Sequence, residues 1–145
     1  MDPRSESNGP AVRAFVDFVD AMHAWEMRNY LVIAPLLEKR KAVVKEMDDA
    51  QRELAGIFAQ HLVPGSCDRR RMDSGGIGYP PTYDADRDVI KLEKAIPGEV
   101  TFRYAQTTRP KSKLRFTMKR TGNTWRVHSG EIFDARRSKW LPFVI

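Results

Sequence analysis

The apolar residues of this chain change their spacing near its middle, and that change constrains the fold more than any other feature. Between Pro10 and about His61 they recur every three or four residues, as one face of a helix requires. From Val89 onward they alternate in part with polar residues, as in a strand that is buried on one side. Helices followed by an antiparallel meander are typical of the α+β class, which is the fold class that the sequence predicts.

The helical half divides into two segments. The first carries an apolar stripe formed by Phe15, Phe18, Met22, Trp25 and Asn29, with Val19 and Glu26 on its edges. Pro35 suits the first turn of a helix, because its missing N–H would have no partner there. The sequence therefore predicts a second helix that starts near Pro35, with a joint or kink over residues 33–35, and that ends before Pro64 and Gly65.

Short alternating segments fill the second half of the chain. They cover residues 89–96, 99–106, 113–120 and 124–133, with hairpin-type turns at 97–98 and 121–123. Residues 139–145 are predicted to form a last edge strand, because Pro142 cannot donate a ladder hydrogen bond. Residues 66–86 show no sustained period, and we expect a loop there with a short strand near Gly78 to Tyr83.

A chain of 145 residues is long enough for one domain with a hydrophobic core. We expect residues 1–9 to be disordered and residues 10–145 to form one domain, with helices over about 10–62, a loop over about 63–87 and a sheet over about 88–145. The chain starts without an apolar signal segment, and its longest apolar run, residues 30–37, is too short to span a bilayer. The single cysteine excludes an internal disulfide bond and fits a reducing compartment. These features predict a cytoplasmic protein that does not bind membranes.

The stretch WRVHSGE, residues 125–131, brings His128, Ser129 and Glu131 close together in sequence. On a regular strand, alternation puts Trp125, Val127 and Ser129 on one side and Arg126, His128 and Gly130 on the other. A nucleophile needs its base within about 2.6 to 3.2 Å, which adjacent strand residues do not provide unless Gly130 marks a bulge. We therefore favour a solvated strand histidine over a catalytic cluster.

The remaining candidates for chemistry lack the spacing that their chemistry needs. His23, His61 and Cys67 show no arrangement typical of a metal site. The glycine-rich stretch SGGIG, residues 74–78, lacks the Lys-Ser/Thr pair of a phosphate-binding P-loop, so we interpret it as a flexible turn. We predict no catalytic residue, no metal and no other cofactor.

Positive charge is concentrated in the second half of the chain. Residues 1–65 carry a net charge of −2, which leaves +8 for residues 66–145. Alternation puts the basic residues of the strands on the side opposite the apolar residues, which predicts one continuous cationic face. The candidate contact residues are Arg103, Arg115, Lys119, Arg126 and His128 in the strands, with Arg69, Arg70 and Arg71 in the loop. This face either solubilises a sheet whose other side packs on the helices, or receives an acidic partner through bidentate pairing.

Nucleic acid is the less favoured partner. A protein that binds single strands stacks bases on exposed aromatic side chains among its basic residues. Alternation instead assigns Phe102, Tyr104, Phe116 and Trp125 to the core side of the sheet. The basic face is therefore predicted to lack stacking platforms.

Three stretches of the chain are similar to a known family. They are FVDFVDAMHAWE at 15–26, GNTWRVHSGEIFD at 122–134 and SKWLPFVI at 138–145. An aromatic helix that ends in Trp-Glu, a penultimate hairpin and a final short strand resemble the NTF2-fold immunity proteins of bacterial polymorphic toxin systems, including those of Rhs toxins. The resemblance implies an NTF2-like cone, in which N-terminal helices pack on a curved antiparallel sheet.

The resemblance also implies a function. Such a protein is a non-enzymatic cytoplasmic inhibitor that binds a cognate toxin domain, here one with an acidic contact surface, unless the contact lies on the helices. A homodimer through the open sheet face would compete with that partner. Two alternatives stay open: an enzyme or ligand binder whose pocket is lined by Tyr30, Tyr104, His23 or Asp17, and a nucleic-acid-binding domain.

Overall fold

The computed structural model describes residues 9–67, 69, 71, 79–108 and 110–145. Its two helices are α1 (Gly9–Glu38) and α2 (Val44–His61), and its five strands are β1 (Val89–Ile96), β2 (Glu99–Ala105), β3 (Lys113–Thr121), β4 (Thr124–Asp134) and β5 (Lys139–Pro142). The strands form one antiparallel sheet in the order β1-β2-β3-β4-β5. Two helices packed on a curved meander confirm the predicted α+β, NTF2-like fold. The short strand expected from Gly78 to Tyr83 is wrong for its described part, residues 79–83, which belongs to no strand.

The first helix is longer than the sequence predicted. Pro35 lies inside the last turn of α1 and does not start the second helix, which begins at Val44. The helix ends at Glu38, because Arg40, two residues later, adopts a left-handed conformation with φ of 55°. The Arg40 N–H then bonds the Leu37 carbonyl and the Lys41 N–H bonds the Leu36 carbonyl, both at 2.9 Å. This pair of bonds is a Schellman motif, and it closes the helix end without glycine.

Aromatic rings fill the space between the helices and the sheet. The predicted stripe of α1 is buried throughout, which confirms its orientation toward the core. The Phe15 ring stacks on Phe102, with centroids 4.9 Å apart, and lies 5.3 Å from the Phe116 centroid. Trp25 Nε1 donates a 2.8 Å hydrogen bond to the Ala50 carbonyl, which fixes α2 against α1.

Glu26 anchors the segment that precedes the sheet. Its side chain is buried on the core side of α1 and accepts hydrogen bonds from the N–H groups of Thr82, at 2.8 Å, and Tyr83, at 3.1 Å. A buried carboxylate is stable only when such donors replace the water that it has lost. Trp25 and Glu26, which end the aromatic stretch, therefore join α1 to α2 and to the segment before β1.

Asp88 makes a second buried connection, between the start of β1 and β2. It accepts hydrogen bonds from the Tyr104 hydroxyl at 2.6 Å, from Arg87 Nε at 2.6 Å and from the Thr107 N–H at 3.0 Å. Burial acts to raise the pKa of Asp88, but the bonds from Arg87, Tyr104 and Thr107 outweigh it, so the pKa lies below its ordinary value. The ionised carboxylate therefore stabilises the folded state.

A β-bulge at His128 reverses the predicted sides of β4. Val127 lies opposite Met118, whereas Ser129 already lies opposite Thr117, so one extra residue stands between them. Ser129 therefore lies on the charged side of the sheet and Gly130 on the core side, and the prediction of strict alternation is wrong beyond Val127.

Candidate functional site

The side of the sheet that does not pack on the helices carries three of the eight predicted contact residues, Arg103, Arg115 and Lys119, and we call it the outer face. Its residues include Lys91, Glu93, Lys94, Glu99, Thr101, Arg103, Arg115, Thr117, Lys119, Ser129, Glu131, Phe133 and Trp140. Alternate residues of the same strands, Phe102 and Phe116 among them, are fully buried against the helices. The strands thus present one apolar and one polar side, as alternation requires.

Arg103 and Arg115 lie directly opposite each other at the centre of the outer face. Two like charges in this position repel, unless acidic neighbours compensate them. Arg103 Nε donates to Glu93 Oε1 at 2.7 Å, and Arg115 Nε donates to Glu131 Oε1 at 3.0 Å. Glu93 stands at a bulge between Leu92 and Lys94 in β1. The two arginines are therefore paired within the sheet.

Trp140 packs on both guanidinium groups. The Cζ atom of Arg103 lies 4.7 Å and that of Arg115 4.3 Å from the centroid of the indole ring, within the range of cation–π contacts. Phe133 adjoins Trp140, with ring centroids 5.3 Å apart. The prediction that the basic face lacks aromatic platforms is therefore wrong. Phe102, Tyr104 and Phe116 are buried as expected, but Phe133 and Trp140 lie outside.

The outer face is not continuously cationic. An open cleft of about 520 Å³ at its centre is lined by Glu93, Glu99 and Glu131 together with Lys94, Arg115, Thr101 and Thr117. Lys119 Nζ lies 3.9 Å from Glu99 Oε1. The prediction of one cationic face is thus wrong at its centre. Glu93 and Glu99 alternate onto the same side as Arg103, and the bulge in β4 brings Glu131 there.

Arg126 and His128 lie at the margin of this surface. Arg126 is opposite Lys119 in the register, and its Nε donates a 3.2 Å hydrogen bond to the Gln60 carbonyl near the end of α2. The backbone carbonyl of His128 accepts a bond from Cys67 Sγ at 3.1 Å. Burial raises the pKa of the Cys67 thiol, so the thiol remains protonated near neutral pH.

Arg69, Arg70 and Arg71 do not form one extension of the basic surface. Arg69 folds back onto its own loop and donates to the carbonyls of Ser66, at 2.9 Å, and Val63, at 2.7 Å. Arg71 is buried, forms a 2.9 Å ion pair with Glu26 and lies 5.1 Å from the centre of the Trp25 ring system. The prediction of a surface role is therefore wrong for Arg71. Arg70 lies outside the described residues, as does the SGGIG stretch at 74–78.

The structure does not assemble a catalytic cluster from the residues that it describes. No hydrogen bond joins Ser129 to His128, and Glu131 is already paired with Arg115. The alternative pocket residues are separated: His23 Nδ1–H donates to the Tyr83 carbonyl at 2.7 Å, Tyr104 bonds Asp88, and Tyr30 packs on Tyr79. Within the described ranges, no group of three or more potential ligands is placed to hold a metal ion.

Comparisons with known proteins agree with this architecture. None of the described helices is long and apolar enough to cross a membrane. No curated protein and no solved structure matches the chain. The family model described as NTF2 fold immunity protein matches residues 11–143, which include both helices and all five strands. The chain belongs to the family of NTF2 fold immunity proteins.

Proposed function

We propose that this protein binds a cognate bacterial toxin domain and neutralises it by protein–protein contact, without catalysis. The observation that carries the proposal is the family match over residues 11–143. The proposed setting is a polymorphic toxin system of the Rhs type, with residues 10–145 acting as one domain in the cytoplasm. An immunity protein protects the cell that produces the toxin.

The filled interior supports binding rather than catalysis. An NTF2-like enzyme needs a pocket between its helices and sheet, but Trp25, Phe102 and Phe116 are fully buried there. Tyr83 and Tyr104 add further buried rings, and burial raises the pKa of both hydroxyls far above the neutral range. Neither hydroxyl can act as a base at neutral pH.

The outer face is the proposed contact surface, with Arg103, Arg115, Lys119 and Arg126 as its basic residues. It is charged, and the side chains of Arg103, Arg115 and Lys119 are 44%, 25% and 43% exposed. A homodimer through this face would block the toxin, so the two assemblies are proposed to exclude each other. Arg69 and His128, which lie near the end of α2 and the β4 bulge, are peripheral contacts at most.

The first test is protection and binding. Cells that produce the toxin domain encoded beside this gene should survive when the chain is co-expressed, and the two purified proteins should form a stable complex. Survival without a complex, or a complex without survival, would contradict neutralisation by direct binding.

The second test locates the contact by charge reversal. We expect Arg103→Glu with Arg115→Glu to lower the association rate by about tenfold at low salt, because steering by charge acts mainly on that rate. The difference should shrink near 1 M salt, where the Debye length is about 3 Å. The matched control is Lys39→Glu with Lys41→Glu at the turn after α1, which changes net charge equally and should leave the rate close to that of the natural protein. A loss confined to the control would move the contact to the helices.

A further inference from the structure

Arg103 and Arg115 each have terminal guanidinium N–H groups that donate no hydrogen bond within the described part of the chain. Arg103 directs Nε and Nη2, at 2.7 and 2.6 Å, toward the same oxygen, Oε1 of Glu93. Arg115 directs Nε toward Glu131 Oε1, and its Nη1 stays 3.9 Å from Glu93 Oε2. Neither guanidinium group donates a further hydrogen bond within the described part of the chain. The terminal edges therefore retain donors for a partner.

Trp140 and the glutamates hold these edges in a fixed orientation. The indole ring packs on the guanidinium groups at 4.7 and 4.3 Å, while Glu93 and Glu131 hold the Nε sides. The side chain of Arg103 is nevertheless 44% exposed and that of Arg115 25% exposed. A partner that binds here does not have to immobilise two flexible side chains, which is a large part of the entropic cost of association. Tryptophan and arginine are also the residues most enriched at interface hot spots.

The free edges fit a carboxylate better than a nucleic acid. A planar guanidinium edge and a carboxylate form two parallel hydrogen bonds, which a lysine cannot reproduce. Nucleic acid would bring about one charge per 1.7 Å of duplex past Glu93, Glu99 and Glu131, which repel it. A protein segment can instead place single carboxylates at the two arginines and neutral or basic groups beside the glutamates.

We propose that Arg103 and Arg115, oriented by Trp140, form a double fork that binds the carboxylates of an acidic segment of the toxin domain. The identity of the partner as a toxin domain rests on the proposed function, whereas the binding of carboxylates by the two arginines does not. Trp140 is a positioning residue. The sequence did not indicate this role, because Trp140 lies in the apolar run WLPFVI, residues 140–145. The proposed partner is more specific than any negatively charged molecule, because the fork recognises the planar shape of a carboxylate as well as its negative charge.

Substitution by lysine separates the fork from simple charge. Arg103→Lys with Arg115→Lys keeps the charge but removes both planar edges, so the association rate with the toxin domain should change little. The dissociation rate should rise about tenfold or more, because charge-assisted bidentate bonds at the interface centre are lost. The control is Arg13→Lys with Arg52→Lys, two exposed helix positions, which should leave both rates unchanged. If the natural protein binds and the lysine variant dissociates equally slowly, the fork is overturned while the proposed function stands.

A toxin-free measurement tests the fork even if the proposed function fails. We expect tetra-aspartate, added at low salt, to shift the Nε–Hε NMR signals of Arg103 and Arg115 and the indole N–H signal of Trp140 in a saturable way. Tetra-lysine should leave the arginine signals in place, and Trp140→Ala should weaken the tetra-aspartate effect more than Trp140→Phe. Absence of any shift, or tighter binding of a single-stranded oligonucleotide than of tetra-aspartate, would overturn the proposal.

Discussion

Gly130 has no room for a side chain, because the bulge in β4 places this residue on the core side of the sheet. A Cβ atom at this position would lie 3.2 Å from Cγ1 of Ile145 and 3.2 Å from Cε1 of Phe116, both of which belong to fully buried residues. Because neither neighbour can move into solvent, we expect Gly130→Ala to lower the free energy of unfolding by about 1–2 kcal/mol. Gly56→Ala is the control: its Cβ meets nothing within 4 Å in the exposed part of α2, and it should stabilise the protein by about 0.5–1 kcal/mol. Urea denaturation of both variants measures the difference, and equal effects would contradict the steric argument.

The residues of the core were predictable individually, whereas their polar partners were not. Periodicity alone assigned Phe15, Phe102 and Phe116 to the interior, because each lies in an apolar stripe. Arg71 looked like a solvated member of a basic run, yet it pairs with Glu26 inside the fold. A signal was present in α1, since a glutamate beside the apolar stripe needs buried donors. The sequence offered no means of choosing which arginine supplies them.

The turn that ends α1 places an arginine in a backbone conformation that residues other than glycine disfavour. Arg40 is left-handed, with φ of 55°, and this conformation costs a residue that has a Cβ atom about 1–2 kcal/mol. We expect Arg40→Gly to remove most of that cost and, after the larger entropy of the unfolded chain is subtracted, to raise the free energy of unfolding by about 0.5–1 kcal/mol. Arg40→Ala, which loses the same side chain but keeps the strain, should bring no such gain. Thermal and urea denaturation of the three proteins check this, and equal stabilisation by alanine would show that the side chain, not φ, was responsible.

The bounds of the first four strands were predictable to within one residue, but the side of the sheet on which each residue lies was not. Four of the segments inferred from alternation, 89–96, 99–106, 113–120 and 124–133, correspond to β1–β4. Bulges at Glu93 and His128 then shift the alternation in β1 and β4, so Lys94, Ser129 and Gly130 lie on the side opposite to the one expected in a regular strand. Alternation counts residues and does not detect an insertion. The position of Trp140 on the outer face was not predicted for another reason. A continuous apolar run does not alternate with polar residues, so it does not indicate which side chains face the core.

At the scale of the whole molecule, the two faces of the sheet have opposite chemistry. The inner face packs Phe102 and Phe116 on the rings of α1, and the outer face carries an ion-pair network around Arg103 and Arg115. The network lowers the long-range positive field that net charge suggested, because each arginine has a glutamate beside it. The guanidinium N–H groups of Arg103 and Arg115 that remain available still point in fixed directions. We therefore expect the specificity for a partner to depend more on the geometry of these hydrogen bonds than on long-range electrostatic attraction.

The stability of the whole molecule should depend on pH through His61, which lies where α1, α2 and β4 meet. Burial lowers the pKa of His61 below its ordinary value of 6.5; Asp17 on α1 acts in the opposite direction, and Arg126 on β4 reinforces the decrease. The unfolded chain therefore binds a proton near pH 6.5 that the folded chain takes up only at lower pH. The free energy of unfolding should be constant above that range, fall as the pH decreases through it, and level off below the folded pKa.

Urea denaturation between about pH 8 and about pH 5 measures this dependence. The variant His61→Gln keeps a polar side chain of similar length at the end of α2 but cannot bind the proton. We expect its free energy of unfolding to fall less than that of the natural protein as the pH is lowered through the histidine range. Parallel curves for the two proteins would assign the pH dependence to other groups, and a steeper fall in the variant would reverse the inferred direction of the pKa shift.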